Sequence, residues 1–146
     1  MKLNHTISGP EQGLPVLLVH GLFGQARNLG AQARRLAQTR RVVSVDLRNH
    51  GDSPHDPDAS YAAMAADLAQ LIDDLGGQVD LVGHSMGGKA AMVLALTRPD
   101  LIRKLVVMDI APLAYRHDQT RNIDAMQSLD LTGIERRSQA DRALAD

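Results

Sequence analysis

Cysteine and tryptophan are absent from the 146 residues, and the aromatic set is one Phe and two Tyr. Without Cys there is no disulfide, no thiolate metal site and no thiol nucleophile, a composition suited to a reducing compartment, so cytoplasm is the expected location. Phe23, Tyr61 and Tyr115 are too few to stack bases or sugars along a binding face. An excess of charge of one sign is lacking too. With 16 Lys and Arg against 17 Asp and Glu, the formal net charge is −1, which offers no footprint for nucleic acid or an anionic membrane. The N-terminus has no positive stretch followed by an apolar run, and no run approaches the ~18 apolar residues that span a bilayer. The chain is therefore expected to be neither exported nor membrane-inserted. What is present, 44% apolar and 23% charged residues, is the profile of a soluble globular domain able to bury a core.

Four short runs rich in β-branched residues have strand length: Val16 to Val19, Val42 to Val45, Val79 to Val82 and Leu105 to Met108. Segments with helical spacing lie between them. The clearest is Ser60 to Leu75, where Tyr61, Met64, Leu68, Leu71, Ile72 and Leu75 share one face. Ser60 suits its N-cap and Gly76-Gly77 its stop. Apolar strands alternating with helices call for right-handed crossovers and a parallel sheet buried on both faces. The expected class is α/β, a mostly parallel doubly wound sheet, with Lys2 to Ser8 as a further edge strand. After Asp109 the pattern changes: Ala111 to His117 is irregular, and Asn122 to Asp146 is polar, of helical character and without a strand run. No repeat, low-complexity tract or linker divides the chain. A single domain over residues 1–146 is expected, its core at about 1–110, the start of a lid at about 111–146, and its sheet stopping before the last strands.

Gly83-His84-Ser85-Met86-Gly87 has the spacing GxSxG. The pattern alone is short enough to arise by chance, and its surroundings make it specific. It directly follows Val79-Asp80-Leu81-Val82 and opens Gly87 to Thr97, apolar nearly all round, which reads as a buried helix ending before Pro99. Strand, elbow and helix in that order hold a serine in a strained backbone conformation, with Gly83 and Gly87 needed because a Cβ at either would collide with the neighbouring chain. Ser85 is the candidate nucleophile, its hydroxyl pushed into the open. The N–H of Met86, at the positive end of the following helix, is a candidate donor to the oxyanion of an acyl-transfer intermediate. A second donor is expected from the loop after an earlier strand, and His20-Gly21-Leu22-Phe23-Gly24 follows Val16 to Val19. Leu22, with Phe23 as its neighbour, fits that role, and the glycines let the loop come close. Taken alone, the same stretch is also an ordinary strand-to-helix turn.

The set HGLFG at 20–24, DLRNHGDSP at 46–54, GHSMGGK at 83–89 and MDIAP at 108–112 resembles small bacterial acyl-ester hydrolases of the α/β-hydrolase superfamily. The resemblance covers about Pro15 to His117. It implies a nucleophile at Ser85, oxyanion donors at Leu22 and Met86, and small acyl esters as substrates. The family's His falls in a loop after the last strand, beyond the residues present here.

A serine hydroxyl at its free pKa is a poor nucleophile and needs a base, in this fold a His oriented by a carboxylate, in the order Ser, acid, His. Downstream of Ser85 the sequence holds one His, His117, amid Tyr115-Arg116 and Asp118-Gln119, which reads as a surface imidazole at the entry to a lid. His20 and His84 flank the reactive loops and are expected to shape the site. Asp109 ends the Leu105 to Met108 run at the carboxyl edge, where the elbow also lies. It is the candidate acid, the alternative being a carboxylate that caps the next loop. The general base is expected to be missing, which would leave this chain by itself inactive or feeble. His50 and His55 share a loop with Asp46, Asp52, Asp56 and Asp58, which raises the question of a metal. Their spacing fits no ligand motif, and a turn rich in Asp and Pro has the same composition, so neither metal nor cofactor is expected.

Two other function classes compete. Gly83-(x)4-Gly88-Lys89 approaches a phosphate-binding loop, and Leu105 to Asp109 resembles an apolar strand ending in a magnesium-binding Asp. Against this, Ala90 stands where a Ser or Thr hydroxyl would reach the metal, and the HGLFG loop is left without a purpose. The other is a catalytically incomplete fragment or binding module that keeps the pocket and lacks the base. The reading adopted is acyl transfer to water, with a small-molecule acyl ester as partner. The fold also hosts other chemistries, so the ester follows from the resemblance. The sequence carries no signal for an oligomeric state.

Overall fold

The computed structural model describes residues 1–114 and 119–145. These form two compact units, Met1–Pro112 and Leu113–Asp146. In the first unit five strands, β1 (His5–Ser8), β2 (Val16–Val19), β3 (Val42–Val45), β4 (Val79–His84) and β5 (Ile102–Met108), alternate with three helices, α1 (Gly30–Leu36), α2 (Tyr61–Asp74) and α3 (Met86–Thr97). Short 3-10 turns at Ala26–Leu29 and Pro99–Leu101 lead into α1 and β5.

The strand order is β1-β3-β2-β4-β5. The last four strands are mutually parallel, and β1 pairs antiparallel with β3. Side chains alternate across a strand, and the core divides accordingly. Leu17, Val19, Val43, Val45 and Leu81 pack with Met64, Leu68, Ile72, Ala90 and Leu94 of α2 and α3. Val16, Leu18 and Val42 pack on the other face with Leu29 and Ala33. Helices therefore cover both faces, as expected of a doubly wound sheet. Leu68 and Ile72 are fully buried, and each contributes about 1.5–3 kcal/mol through apolar area removed from water.

The α2 termini follow their sequence signals. The Ser60 hydroxyl accepts the Ala63 N–H at 3.2 Å, and beyond the C-cap Leu75, Gly76 and Gly77 take φ of +116° and +90°. Three expectations need correction. β5 begins at Ile102 rather than Leu105, because Arg103 and Lys104 stand inside the strand; Lys104 pairs with Asp80 in the ladder, and Arg103 bonds the Asp80 carboxylate. Nor is β5 buried on both faces: it lies at the edge of the sheet, where Val106 is 50% exposed. Helix α3 is buried along Ala90, Ala91 and Leu94, while Leu96 is 84% exposed. The edge strand sought in Lys2 to Ser8 is the four-residue β1, and β4 continues two residues past Val82.

In the second unit the polar stretch is not one helix. It holds α4 (Thr120–Ser128) and α5 (Arg137–Ala143), interrupted where the Asp130 carboxylate accepts the Thr132 N–H at 2.8 Å and Gly133 takes φ +83°. Neither helix buries a residue. Among the described residues no helix is long and apolar enough to cross a membrane.

At the amino-terminal end of β4, opposite the elbow, the Asp80 carboxylate accepts N–H bonds from Arg103 and Arg40, both Nε of Arg103 and Nη2 of Arg40 at 2.8 Å. The Arg103 bonds, helped by Arg40 and opposed by burial, hold its pKa down at about 2. This cluster ties β5 and the approach to β3 onto β4.

Candidate active site

Each parallel strand is followed, past its carboxyl end, by one non-glycine residue with positive φ: Phe23 at 59° after β2, Asn49 at 66° after β3, Ser85 at 50° after β4 and Asp109 at 55° after β5. Such conformations cost on the order of 1–3 kcal/mol each and persist only where their surroundings fix them. Backbone strain is thus gathered at one edge of the sheet, the edge where ligands bind in open α/β folds.

Ser85 is the single residue between β4 and α3. Its N–H donates to the Met108 carbonyl at 3.0 Å, and its own carbonyl accepts the Lys89 N–H at 3.1 Å, the first bond of α3. The turn is that tight only because glycines flank it. A Cβ on Gly83 would lie 2.6 Å from the Gly87 carbonyl oxygen, and one on Gly87 would strike the His20 carbonyl oxygen and lie 2.7 Å from that of Val19. A one-residue connection leaves no multi-residue loop to wrap a phosphate, so the helix that carries Gly88 and Lys89 in its first turn is that of an elbow.

The loop after β2 lies against this elbow. A Cβ on Gly21 would be 2.9 Å from His84 Nδ1 and 3.1 Å from Ser85 Cβ. Leu22 and Phe23 follow, 43% and 55% exposed, while Met86, the first residue of α3, is buried. His20 is 1% exposed. The Leu47 N–H donates to its Nε2 at 3.1 Å, so Nε2 is bare and Nδ1–H donates to the Gly21 carbonyl at 2.8 Å. Burial pulls its pKa below the ordinary histidine value, and nearby His50 and His84 act the same way against the opposing pull of the Gly21 carbonyl and Asp46.

Asp109, just past β5, is 86% exposed through its side chain, with Oδ2 3.6 Å from Nε2 of His84. Elbow, β2 loop and candidate acid thus come together, as their order along the sheet requires. His117 lies outside the described residues. No imidazole among the described residues is hydrogen-bonded to the Ser85 hydroxyl.

In the acidic loop after β3 the carboxylates of Asp46, Asp56 and Asp58 are engaged by backbone N–H groups and neighbouring side chains. Asp46 accepts from Ala26 N–H at 2.6 Å, Asn4 Nδ2 at 2.8 Å and Asp52 N–H at 3.1 Å. Although burial works against it, these bonds hold its pKa below the usual carboxylate value. Asp56 accepts the Asp58 N–H, and Asp58 accepts that of Ser60. No three His, Asp or Glu side chains among the described residues gather as a metal site. The contact of this loop with the β2 loop has one trace in the sequence, Gly51 beside an Asp-rich turn, which takes φ +53° and where a Cβ would strike the Asp46 carboxylate.

The family described as the alpha/beta hydrolase fold matches residues 15–138. A mouse (Mus musculus) protein named sn-1-specific diacylglycerol lipase ABHD11 is 45% identical over 152 residues, covering 100% of this chain and 49% of that protein. Esterase YbfF of Escherichia coli (strain K12) is 48% identical over 128 residues, covering 82% and 50%. A solved structure titled marine microorganism esterase superposes with a TM-score of 0.88 at 36% identity, over 99% of this chain and 57% of that one. The chain thus spans about half the length of these curated relatives.

Proposed function

The chain belongs to the α/β-hydrolase fold family, and on that premise we propose that it carries the nucleophile, the oxyanion hole and the orienting acid of a serine hydrolase acting on carboxylic esters. The observation that carries the reading is Ser85 at positive φ in a one-residue elbow, with the Gly21 loop packed against its Cβ.

In this reading a histidine outside the described residues takes the Ser85 hydroxyl proton as its oxygen attacks the ester carbonyl. The electron pair of the C=O moves to oxygen, and the N–H groups of Leu22 and Met86 receive that charge; one such donor is typically worth about 10²–10³ in turnover. Collapse expels the alcohol, which regains the proton, and water then releases the acid from the acyl-enzyme. Asp109 orients the histidine. Its support is position: it follows β5 directly, its carboxylate is exposed, and the strand it ends is bonded to Ser85. His20, Gly21, Gly83, His84 and Gly87 shape the site. The substrates are small acyl esters, and the names of the esterase and diacylglycerol lipase relatives extend the class to esters of glycerol.

A second reading, a binding module with the same pocket and no base, is favoured by the Ser85 hydroxyl having no imidazole partner among the described residues. A fluorophosphonate probe and p-nitrophenyl acetate separate the two. Hydrolase chemistry requires covalent labelling that Ser85→Ala abolishes and, once the triad histidine is in place, turnover that falls by more than 10³-fold in that variant. Labelling that survives Ser85→Ala refutes the assignment, and stoichiometric binding of ester without release supports the module.

A further inference from the structure

The segment Asp46 to Pro54 has no task in the chemistry above, yet it grips the β2 loop at both ends. At the start of that loop the Leu47 N–H donates to His20 Nε2, and at its end Asp46 Oδ1 accepts the Ala26 N–H. Between these two bonds lie Gly21, Leu22 and Phe23. The bond from Leu47 also fixes a tautomer: with Nε2 an acceptor, Nδ1–H must donate to the Gly21 carbonyl, which sets the rotation of the Gly21–Leu22 peptide and hence the direction of the Leu22 N–H. Asp46 is braced in turn by Asn4 and Asp52, and its backbone carbonyl accepts the Ser53 hydroxyl at 2.6 Å. The His50 ring lies against that of His20, centroids 5.2 Å apart.

We infer that Asp46 and His20 are positioning residues that aim the oxyanion loop, the β3 loop serving as its brace; this rests on the proposed assignment of Ser85 and Leu22. A carboxylate suits the task because it accepts three N–H bonds at once. Asparagine has one acceptor oxygen, and keeping the Asn4 and Asp52 bonds with it leaves the Ala26 N–H facing an amide NH₂. The imidazole suits it only while neutral, since a proton on Nε2 would confront the Leu47 N–H. The groups that face His20 are the Gly21 carbonyl of its own loop, His50 and Asp46 of the β3 loop, and His84 of β4.

The test uses the full chain and 1,1,1-trifluoro-2-butanone, followed by fluorine NMR. In the adduct the Ser85 oxygen bonds the ketone carbon, the C=O pair moves to the ketone oxygen, and the serine proton is released to solvent, leaving an oxyanion in the hole. Asp46→Asn is expected to weaken the adduct roughly 10- to 10²-fold, below the full cost of a lost donor. Asn4→Ala, which removes one of the three donors to Asp46, weakens it several-fold, and Arg40→Ala, at the opposite end of β4, leaves it unchanged. Nitrogen NMR of His20 in the unaltered chain shows the Nδ1–H tautomer at pH 7. No Ser85-dependent adduct in the unaltered chain removes the catalytic reading and the brace with it. An adduct of full affinity in a folded Asp46→Asn or Asn4→Ala chain overturns the brace alone, as does a charged or Nε2–H His20. If Asp46→Asn does not fold, Asn4→Ala and the tautomer decide.

Discussion

The backbone N–H of Ser85 donates to the carbonyl of Met108 at 3.0 Å. This bond joins the elbow to the residue before Asp109, continuing the β4–β5 ladder one step past its last pair, His84 with Met108. Proposed nucleophile and candidate acid, far apart in the chain, are therefore fixed to one another by main-chain atoms, whatever their side chains do.

From this follows a separation of activity from stability at Asp109. Asparagine tolerates positive φ as aspartate does, and an 86% exposed side chain has little packing to lose. In the protein with its triad histidine in place, Asp109→Asn should lower p-nitrophenyl acetate turnover by about 10²–10⁴-fold, in line with loss of an orienting carboxylate, with thermal unfolding unchanged. Turnover within twofold of the parent chain removes Asp109 from the mechanism.

Gly87→Ala should do the opposite and injure the fold first. The added methyl would meet the carbonyl oxygens of His20 and Val19, which are backbone and cannot swing away. Overpacking of this kind costs about 1–3 kcal/mol and occasionally more. Urea unfolding reads the loss as a lower midpoint, and an unshifted midpoint would mean that β2 and α3 are not in contact as described.

Acid should weaken the fold through Asp80. Its pKa is about 2 in the folded chain against an ordinary 3.8, chiefly because of Arg103 and then Arg40. A carboxyl depressed on folding contributes stability that is complete above its unfolded value and is lost as pH falls through the folded one. Stability followed by circular dichroism in urea should therefore decline between about pH 4 and 2, and Asp80→Asn should remove Asp80's share of that slope. An equal slope in the variant would assign the acid sensitivity to other groups.

Much of this architecture is written in local pattern. Parallel strands buried on both faces need uninterrupted apolar runs, so Val16–Val19 and Val42–Val45 stand in the sequence with their true ends. The elbow is equally plain, because a serine at positive φ between two close-packed segments can be built only with glycines at fixed offsets. What escapes local pattern depends on partners far along the chain. Arg103 and Lys104 read as a break in β5, yet Arg103 is held by Asp80 and Lys104 pairs with it. Helix α1 buries only Ala33, too little to register as a periodic face. Asp46 and His50 look like metal ligands by composition, whereas Asp46 bonds Asn4 and Ala26 and the His50 ring meets that of His20.

The interlock of Gly21 and Gly87 bears on the order of folding. Each glycine is close to backbone or side chains of the other's segment, and contacts between distant parts of a chain form late, because the loop between them must first be closed. A folding chain that has joined β4 to α3 but has not yet docked β2 has nothing to compress the turn at Ser85. The amides of Ser85 and Lys89 should accordingly gain protection in pulsed hydrogen exchange no earlier than that of Val19; earlier protection would show a self-sufficient elbow. The proposed nucleophile would then come into being with the final closure of the sheet, and half-folded chains would not yet display it.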